Sequence, residues 1–271
     1  METKEQLSSN GIPIPFEAAR FVPMSDRSEL LHNAHALHDE YARVGHVLLR
    51  GAIPFDVVDG LRARFFELMH EGSGAMLGHG LKGHPAHTLV REPIFEGFTQ
   101  HPTFRVLAAV LLDGPVVLLK RSIIRHFVSG SRLASRAHAD RDYFTPPRHH
   151  FVTFWVPLVD VPLAAGGLVV LEDSVNVDIE NLRRTLDRTR DRLSDSRPIS
   201  PHLEDVARAS ERRWLFSHYR AGDVVAFSPQ VVHASLDCQE GSRLSADIRF
   251  AKATAQIDPR WMQPWSGDDG A

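Results

Sequence analysis

The sequence has one cysteine, no long uninterrupted apolar run and almost no excess of either charge. Cys238 has no second cysteine to pair with, so neither an internal disulfide nor a thiolate metal cluster can form. Lys and Arg number 31 against 34 Asp and Glu, which argues against an overall field that attracts nucleic acid or an anionic membrane. The 271 residues, 43% of them hydrophobic, suit one large domain. We expect the partner to be a small molecule recognised at a local site.

Signals for secretion or membrane insertion are also missing. The amino terminus carries charges and prolines where a signal peptide needs an apolar core. The most apolar run, VLAAVLLDGPVVLL, is interrupted by Asp113, Gly114 and Pro115. We therefore predict a cytoplasmic protein that acts without nucleic acid or membrane; the sequence predicts no oligomeric state.

The first 114 residues or so are predicted to be a mostly helical support. One amphipathic helix is expected between Ser28, placed to cap its start, and Gly45, placed to end it. Its apolar stripe consists of Leu30, Ala34, Leu37 and Tyr41. A second helix stops near Gly72, and its stripe consists of Val58, Leu61, Phe65 and Leu68. Both helices are expected to be packing elements.

From Pro115 to about residue 251 the pattern changes to short apolar runs separated by Gly, Pro and Ser. Several strands without intervening helices predict an antiparallel jelly roll or barrel, so the fold class is mainly β with flanking helices. Residues 178–219 are the exception, because they are charged, helix-prone and broken near Pro198 and Pro201. We interpret them as a solvated helical insertion or, alternatively, as a lid over a site.

The triplet His138-Ala139-Asp140 is the only His-x-Asp in a chain with 16 histidines. Two other His-x-acid triplets start at His38 and His202, so such patterns also arise here by chance. Secondary structure separates them, because residues i and i+2 share a face on a strand but not on a helix. His38 lies in the first predicted helix and His202 in the charged segment, whereas the third triplet lies in the β-rich run RAHADRDYF. We predict that His138 and Asp140 converge on one metal ion.

A third ligand is available in the segment GDVVAFSPQVVHAS. Gly222 and Asp223 predict a turn into an apolar strand, Pro229 then redirects the chain, and His233 follows two valines. Two imidazoles and one carboxylate on one face of an octahedral ion leave three adjacent positions free, as in non-haem Fe(II) oxygenases. Those positions suit a bidentate 2-oxo acid and dioxygen. The alternative for His233 is a buried structural histidine.

The strand predicted after His233 alternates sharply between polar and apolar residues. One face carries Arg243, Ser245, Asp247 and Arg249, and the other carries Leu244, Ala246, Ile248 and Phe250. If the apolar face packs on the helices, the polar face lines the barrel interior. Arg243 could there bind the distal carboxylate of 2-oxoglutarate in bidentate fashion. A solvated β-edge would give the same alternation.

In this order and spacing, the motifs resemble the phytanoyl-CoA dioxygenase family of Fe(II)- and 2-oxoglutarate-dependent oxygenases. The similar stretches are GHVLLRGAIPFDVVDGLR, HADRDYF, TFWVPLVDVPLAAGGLVVLEDS and GDVVAFSPQVVHAS, followed by Arg243. The resemblance covers most of the chain and implies a double-stranded β-helix, a cupin-like jelly roll. It does not extend convincingly over residues 178–219.

The resemblance also implies roles for individual residues. His138, Asp140 and His233 would bind Fe(II), while Arg243 and Ser235 would bind the 2-oxoglutarate carboxylate. Trp155 would line the co-substrate pocket, although an ordinary core aromatic is its alternative. The implied reaction consumes 2-oxoglutarate and O2, releases succinate and CO2, and hydroxylates a C–H bond; desaturation, epoxidation and cyclisation are the alternatives.

Strand alternation predicts the substrate-facing residues. Asp142 and Phe144 would share the face of the iron ligands, Lys120 would lie near the cavity, and Asp247 and Arg249 would add polar lining. These residues favour a small or medium polar metabolite, such as a natural-product intermediate. Alternatively, Asp247 and Arg249 simply neutralise each other.

Two other function classes remain open from the sequence. One is a non-catalytic cupin-like protein that binds a metal or ligand, and the other is a metal-dependent isomerase or hydrolase. Arg243 and Ser235 discriminate against both, because neither class needs a carboxylate clamp.

Overall fold

The computed structural model describes residues 6–71, 84–144, 146, 150–186 and 195–265. The strands are β1 Gln6–Ser9, β2 Ile12–Pro15, β3 Phe21–Pro23, β4 His46–Leu49, β5 Val116–Val128, β6 His138–Ala139, β7 Phe151–Pro157, β8 Leu168–Leu171, β9 Trp214–Phe216, β10 Val224–Phe227, β11 Val232–Ser235 and β12 Ser242–Lys252. The helices are α1 Ala34–Val44, α2 Phe55–Glu71, α3 Pro85–Leu89, α4 Pro93–Thr99, α5 Pro102–Leu111, α6 Ile179–Thr185 and α7 Leu203–Ser210. Over these ranges no helix has the length and apolar character that a bilayer crossing requires.

Two five-stranded sheets form the body of the fold. The first sheet has the order β4-β10-β7-β12-β5 and is antiparallel throughout. The second has the order β3-β9-β8-β11-β6, in which only the β3–β9 pair is parallel. Side chains of both sheets share one apolar cluster, which includes Trp155 and Val225 from the first and Leu168 and Val170 from the second. The jelly-roll prediction is therefore confirmed.

The helical layer covers the outer face of the first sheet. Its buried cluster joins Leu61 and Phe65 of α2 and Phe104 of α5 to the apolar face of β12, which consists of Leu244, Ala246, Ile248 and Phe250. β12 hydrogen-bonds to β5 on one side and to β7 on the other. The β-edge interpretation is wrong, and the polar face of β12 points between the sheets.

The predicted first helix is split in two. Ser28 heads a short 3-10 helix, Ser28–His32, and α1 starts afterwards with the Asn33 side chain accepting a hydrogen bond from the backbone N–H of Ala36. Ala34 is consequently exposed and leaves the apolar stripe. The end at Gly45 is confirmed, because its φ of 79° is left-handed and a Cβ there would lie 2.3 Å from a methyl group of Val175. The second helix, α2, buries its four predicted apolar residues.

The segment 178–219 is less of an insertion than its charge predicts. Residues 187–194 lie outside the described residues. α6 and α7 are helical as expected, but β9 is a strand between β3 and β8. Trp214 of β9 is fully buried, and its indole N–H donates to the carbonyl of Leu203 at 2.8 Å. β9 is therefore part of the second sheet and not of a solvated helical insertion, and a role as lid stays a prediction.

The buried His126 of β5 should make the stability of the fold depend on pH. His126 packs against the Phe65 ring at a centroid distance of 5.0 Å. Burial, assisted by the charge of His84, lowers the pKa of His126 from 6.5 to about 4. Between these values the unfolded chain binds the proton and the folded chain does not, so stability falls as the pH falls.

We expect His126 to reduce the free energy of unfolding by about 1 to 2 kcal/mol between pH 7 and pH 5. The variant His126→Phe keeps an aromatic ring but cannot be protonated. Urea denaturation at both pH values should show a smaller loss of stability for the variant. An equal loss in both proteins would contradict the burial of a neutral ring.

Candidate metal centre

The sheet register brings the two predicted histidine ligands together. His233 of β11 is the direct cross-strand partner of His138 of β6. Directly opposite residues point to the same face, and the two ring centroids are 4.2 Å apart. Asp140 follows in the first residue of a 3-10 helix, Asp140–Asp142, because the strand ends at Ala139. Its Oδ1 lies 3.6 Å from the Nε2 atom of each histidine.

Each imidazole is fixed by a backbone carbonyl on its far side. The Nδ1 atom of His138 lies 2.7 Å from the carbonyl oxygen of Arg136, and that of His233 lies 3.1 Å from the carbonyl of Val231. A carbonyl only accepts, so each Nδ1 must carry the proton. The Nε2 lone pairs are then free and face Asp140, which is the tautomer that metal binding requires.

The carboxylate of Asp140 is divided between two tasks. Its Oδ2 accepts hydrogen bonds from the Thr153 hydroxyl at 2.8 Å and from Nε of Arg249 at 3.3 Å. Only Oδ1 remains to face the histidines. Thr153 was not predicted from the sequence, although it is the cross-strand partner of Arg249 and shares its face.

Electrostatics keep Asp140 and His233 in their metal-binding forms. Burial works to raise the pKa of Asp140, but the charge of Arg249, followed by the interactions with the two histidines, outweighs it and holds the pKa well below the usual range. Burial, together with the neighbouring His138, lowers the pKa of His233 to about 4. At neutral pH the site thus offers a carboxylate and an unprotonated imidazole. The donor set of two imidazoles and one carboxylate fits Fe(II).

The three donors open onto a cavity of about 380 Å³, which includes the part open to solvent. Arg243 lines this cavity and is only 2% exposed. It donates to the carbonyl of Gly166 and approaches the Ser235 hydroxyl at 3.5 Å. Burial lowers the pKa of Arg243 to about 10, so the guanidinium remains charged at neutral pH.

Arg243 fits a carboxylate ligand. Its Nε has no hydrogen-bond partner, and no carboxylate in the described ranges forms an ion pair with it. A buried cation is costly without an anion, so the residues present fit an anionic ligand in the cavity. Ser235 and Trp155 line the same space, as the sequence predicts.

Three of the predicted substrate residues lie elsewhere. Lys120 is exposed on β5, outside the cavity lining. Asp142 pairs with Arg183 of α6 at 2.6 Å. Phe144 is buried, with its ring stacked on Trp261 at 3.8 Å. The predictions for Asp142 and Phe144 were wrong because the strand ends at Ala139, so alternation does not continue past it.

The other two predicted substrate residues do line the cavity. Asp247 pairs with Arg125 at 2.7 Å, whereas Arg249 contacts Asp140. The alternative that they neutralise each other is therefore wrong. Arg125 also lines the cavity and was missed. Arg125 is the cross-strand partner of Ser245 of β12 and therefore lies on the inward face. Knowledge of how β5 pairs with β12 would have identified it.

Two curated relatives are similar to this chain over most of its length. The chain is 25% identical to the 1-deoxypentalenic acid 11-beta-hydroxylase of Streptomyces arenae, over 90% of each chain. It is also 25% identical to the enzyme of the same name from Streptomyces exfoliatus, over 89% of each chain.

Two solved structures share the fold. The non-haem α-ketoglutarate-dependent epimerase SnoN from nogalamycin biosynthesis is 20% identical, with a TM-score of 0.62 over 84% of this chain and 86% of that one. EctD from S. alaskensis is 14% identical, with a TM-score of 0.63 over 97% of this chain and 90% of that one.

The family model of phytanoyl-CoA dioxygenase (PhyH) matches residues 41–243, well over half of the chain. This chain therefore belongs to the phytanoyl-CoA dioxygenase family and is a non-haem iron dioxygenase that depends on 2-oxoglutarate and O2.

Proposed function

We propose that His138, Asp140 and His233 hold Fe(II) and that the enzyme hydroxylates a C–H bond of a small or medium metabolite. The observation that carries the proposal is the buried, anion-free guanidinium of Arg243 in the same cavity as the three converging donor atoms. Hydroxylases of a natural product are relatives over nine tenths of the chain, which supports a natural-product intermediate as the metabolite. We further propose that the enzyme works in the cytoplasm on a freely diffusing small molecule.

The residues around the metal ligands have separable tasks in this proposal. Arg243, with Ser235 beside it, binds the distal carboxylate of 2-oxoglutarate, and Trp155 forms a wall of that pocket. Bound iron supplies the activation of dioxygen that is coupled to decarboxylation of the co-substrate and oxidation of the substrate. Leu168 and Phe227 add apolar walls that limit access of water to the reaction.

The carboxylate clamp separates this function from its rivals. A cupin-like protein that only binds metal, or a metal-dependent isomerase or hydrolase, needs the three ligands but no buried cation for a second ligand. Arg243 would then be a buried positive charge that no ligand neutralises, and such a charge lowers the stability of the folded protein.

The direct test is spectroscopic. Anaerobic protein that receives Fe(II) and then 2-oxoglutarate should develop a visible charge-transfer band, because the co-substrate chelates the metal. His138→Ala should not develop the band, since it removes one ligand. Absence of the band from the wild type, or an identical band in the variant, would contradict the proposal. Product mass under O2 then distinguishes hydroxylation from desaturation.

Thr153→Val tests the hydrogen bond to Asp140 Oδ2. Valine has nearly the shape of threonine, so the change removes a donor with little loss of packing. We expect the dissociation constant for Fe(II) to rise about tenfold or more, as for other groups that orient metal ligands. Anaerobic titration measures it. Thr99→Val is the matched control, because Thr99 is also buried but bonds only within α4, and an equal effect there would refute the role of Thr153.

Arg243→Gln tests the clamp. Loss of charge-assisted hydrogen bonds should raise the half-saturating concentration of 2-oxoglutarate about 100-fold, while Fe(II) affinity stays near that of the wild type. Two titrations of the charge-transfer band give the two constants, one with 2-oxoglutarate at saturating Fe(II) and one with Fe(II) at saturating 2-oxoglutarate. Arg213→Gln removes an exposed arginine paired with Glu172 and serves as control. Unchanged 2-oxoglutarate affinity in Arg243→Gln would disprove the assignment.

A further inference from the structure

Arg249 is a second buried arginine at the metal centre, and its Nε forms a hydrogen bond with a proposed metal ligand. Its side chain is 7% exposed, and its Nε donates to Oδ2 of Asp140 at 3.3 Å. The guanidinium carbon lies 5.2 Å from the centroid of the Phe144 ring, which is itself stacked on Trp261. The hydrogen bond to Asp140 and the contact with the Phe144 ring together constrain the orientation of the guanidinium.

The two terminal nitrogens of Arg249 have no partner. Within the described ranges, Nη1 and Nη2 form neither a hydrogen bond nor an ion pair. Both nitrogens nevertheless remain accessible, because they are absent from the fully buried unpartnered atoms and the residue borders the cavity. Nη1 and Nη2 of Arg249 are thus two hydrogen-bond donors available to a ligand in the cavity.

Nearby acidic groups do not use these donors. Oδ2 of Asp140 is bonded by Nε and by Thr153, and Asp247 is bonded by Arg125. Arg249 lies six positions after Arg243 on β12, on the order of 20 Å along the strand. Arg243 contacts Gly166 and Ser235, whereas Arg249 contacts Asp140, so the two guanidinium groups suit different ligands.

Building on the proposed function, we infer that Nη1 and Nη2 of Arg249 form a carboxylate subsite, and that the group it binds is a carboxylate of the substrate. Paired parallel donors match the two oxygens of a carboxylate. The substrate class is then an organic acid whose carboxylate is anchored beside Asp140. Arg249 would serve both as a positioning residue for the metal ligand and as a determinant of substrate specificity.

Matched acid and amide pairs test this subsite. The probes are cyclohexanecarboxylate against cyclohexanecarboxamide, and adamantane-1-carboxylate against its amide, titrated by calorimetry into anaerobic protein saturated with Fe(II) and 2-oxoglutarate. Each pair has one shape and differs in charge. We expect the wild type to bind at least one acid about tenfold or more tightly than its amide. Arg249→Gln should lose that preference, and Arg249→Lys should keep part of it because the charge remains.

Arg213→Gln is the matched control. It makes the same change at an arginine paired with Glu172 and outside the cavity lining, so its acid-to-amide ratio should equal that of the wild type. The charge-transfer band is recorded for every variant, which verifies that each still folds and binds metal and co-substrate.

Three outcomes would overturn the inference. In the first, no acid binds the wild type more tightly than its amide. In the second, Arg249→Gln keeps the preference for the acid and all other affinities. In the third, Arg249→Gln keeps that preference but binds 2-oxoglutarate more weakly. The last result would assign the subsite to the α-carboxylate of 2-oxoglutarate. If the wild type forms the charge-transfer band but shows no acid preference, this inference fails while the proposed function stands.

Discussion

The site depends on the carboxylate of Asp140, whose two oxygens have different partners. One oxygen faces both histidines, and the other is held by Thr153 and Arg249. A buried carboxylate is costly unless it is paired and hydrogen-bonded, and here the positive charge and the hydroxyl offset that cost before any metal arrives. A metal ion held by the two histidines and Asp140 would meet the Oδ1 oxygen of this carboxylate, and adjacent positions would stay available for the co-substrate and dioxygen.

That carboxylate also ties the site to the fold. His233 comes from β11 of the second sheet, Thr153 from β7 and Arg249 from β12 of the first. His138 of β6 belongs to the second sheet as well, and Asp140 directly follows it. The hydrogen bonds that hold Asp140 therefore form only when the two sheets pack face to face. β12 serves both layers, since its apolar side chains hold the helices and its arginines line the cavity.

The strong periodic signals in the sequence predicted much of this. The alternation along β12, the apolar stripe of α2 and the triplet of His138 and Asp140 are patterns of neighbouring residues, which a sequence shows directly. His233 was added to the triplet from its position after a predicted strand. The resemblance of these motifs to a family supplied the roles of Ser235 and Trp155, which spacing alone does not predict. Those roles remain proposals that the variants above test.

Long-range register accounts for most of what was missed. β6 has only two residues, so strand alternation does not extend to Asp142 and Phe144. The pairing of β5 with β12 contains an irregularity between Asp247 and Arg249, which obscures that Arg125 and not Lys120 faces inward. Thr153 carries no signal of its own, because its role arises from its partner across the sheet. Asn33 replaced Ser28 as the cap because Ser28 bonds Asp26 and the backbone of Arg50 instead.

An anaerobic crystal structure with Fe(II) and 2-oxoglutarate tests the central claim most directly. The account predicts iron on Nε2 of both histidines and on one oxygen of Asp140, with Oδ2 still bonded to Thr153 and Arg249 and the distal carboxylate on Arg243. A metal bound by both oxygens of Asp140, or a co-substrate carboxylate placed away from Arg243, would contradict it.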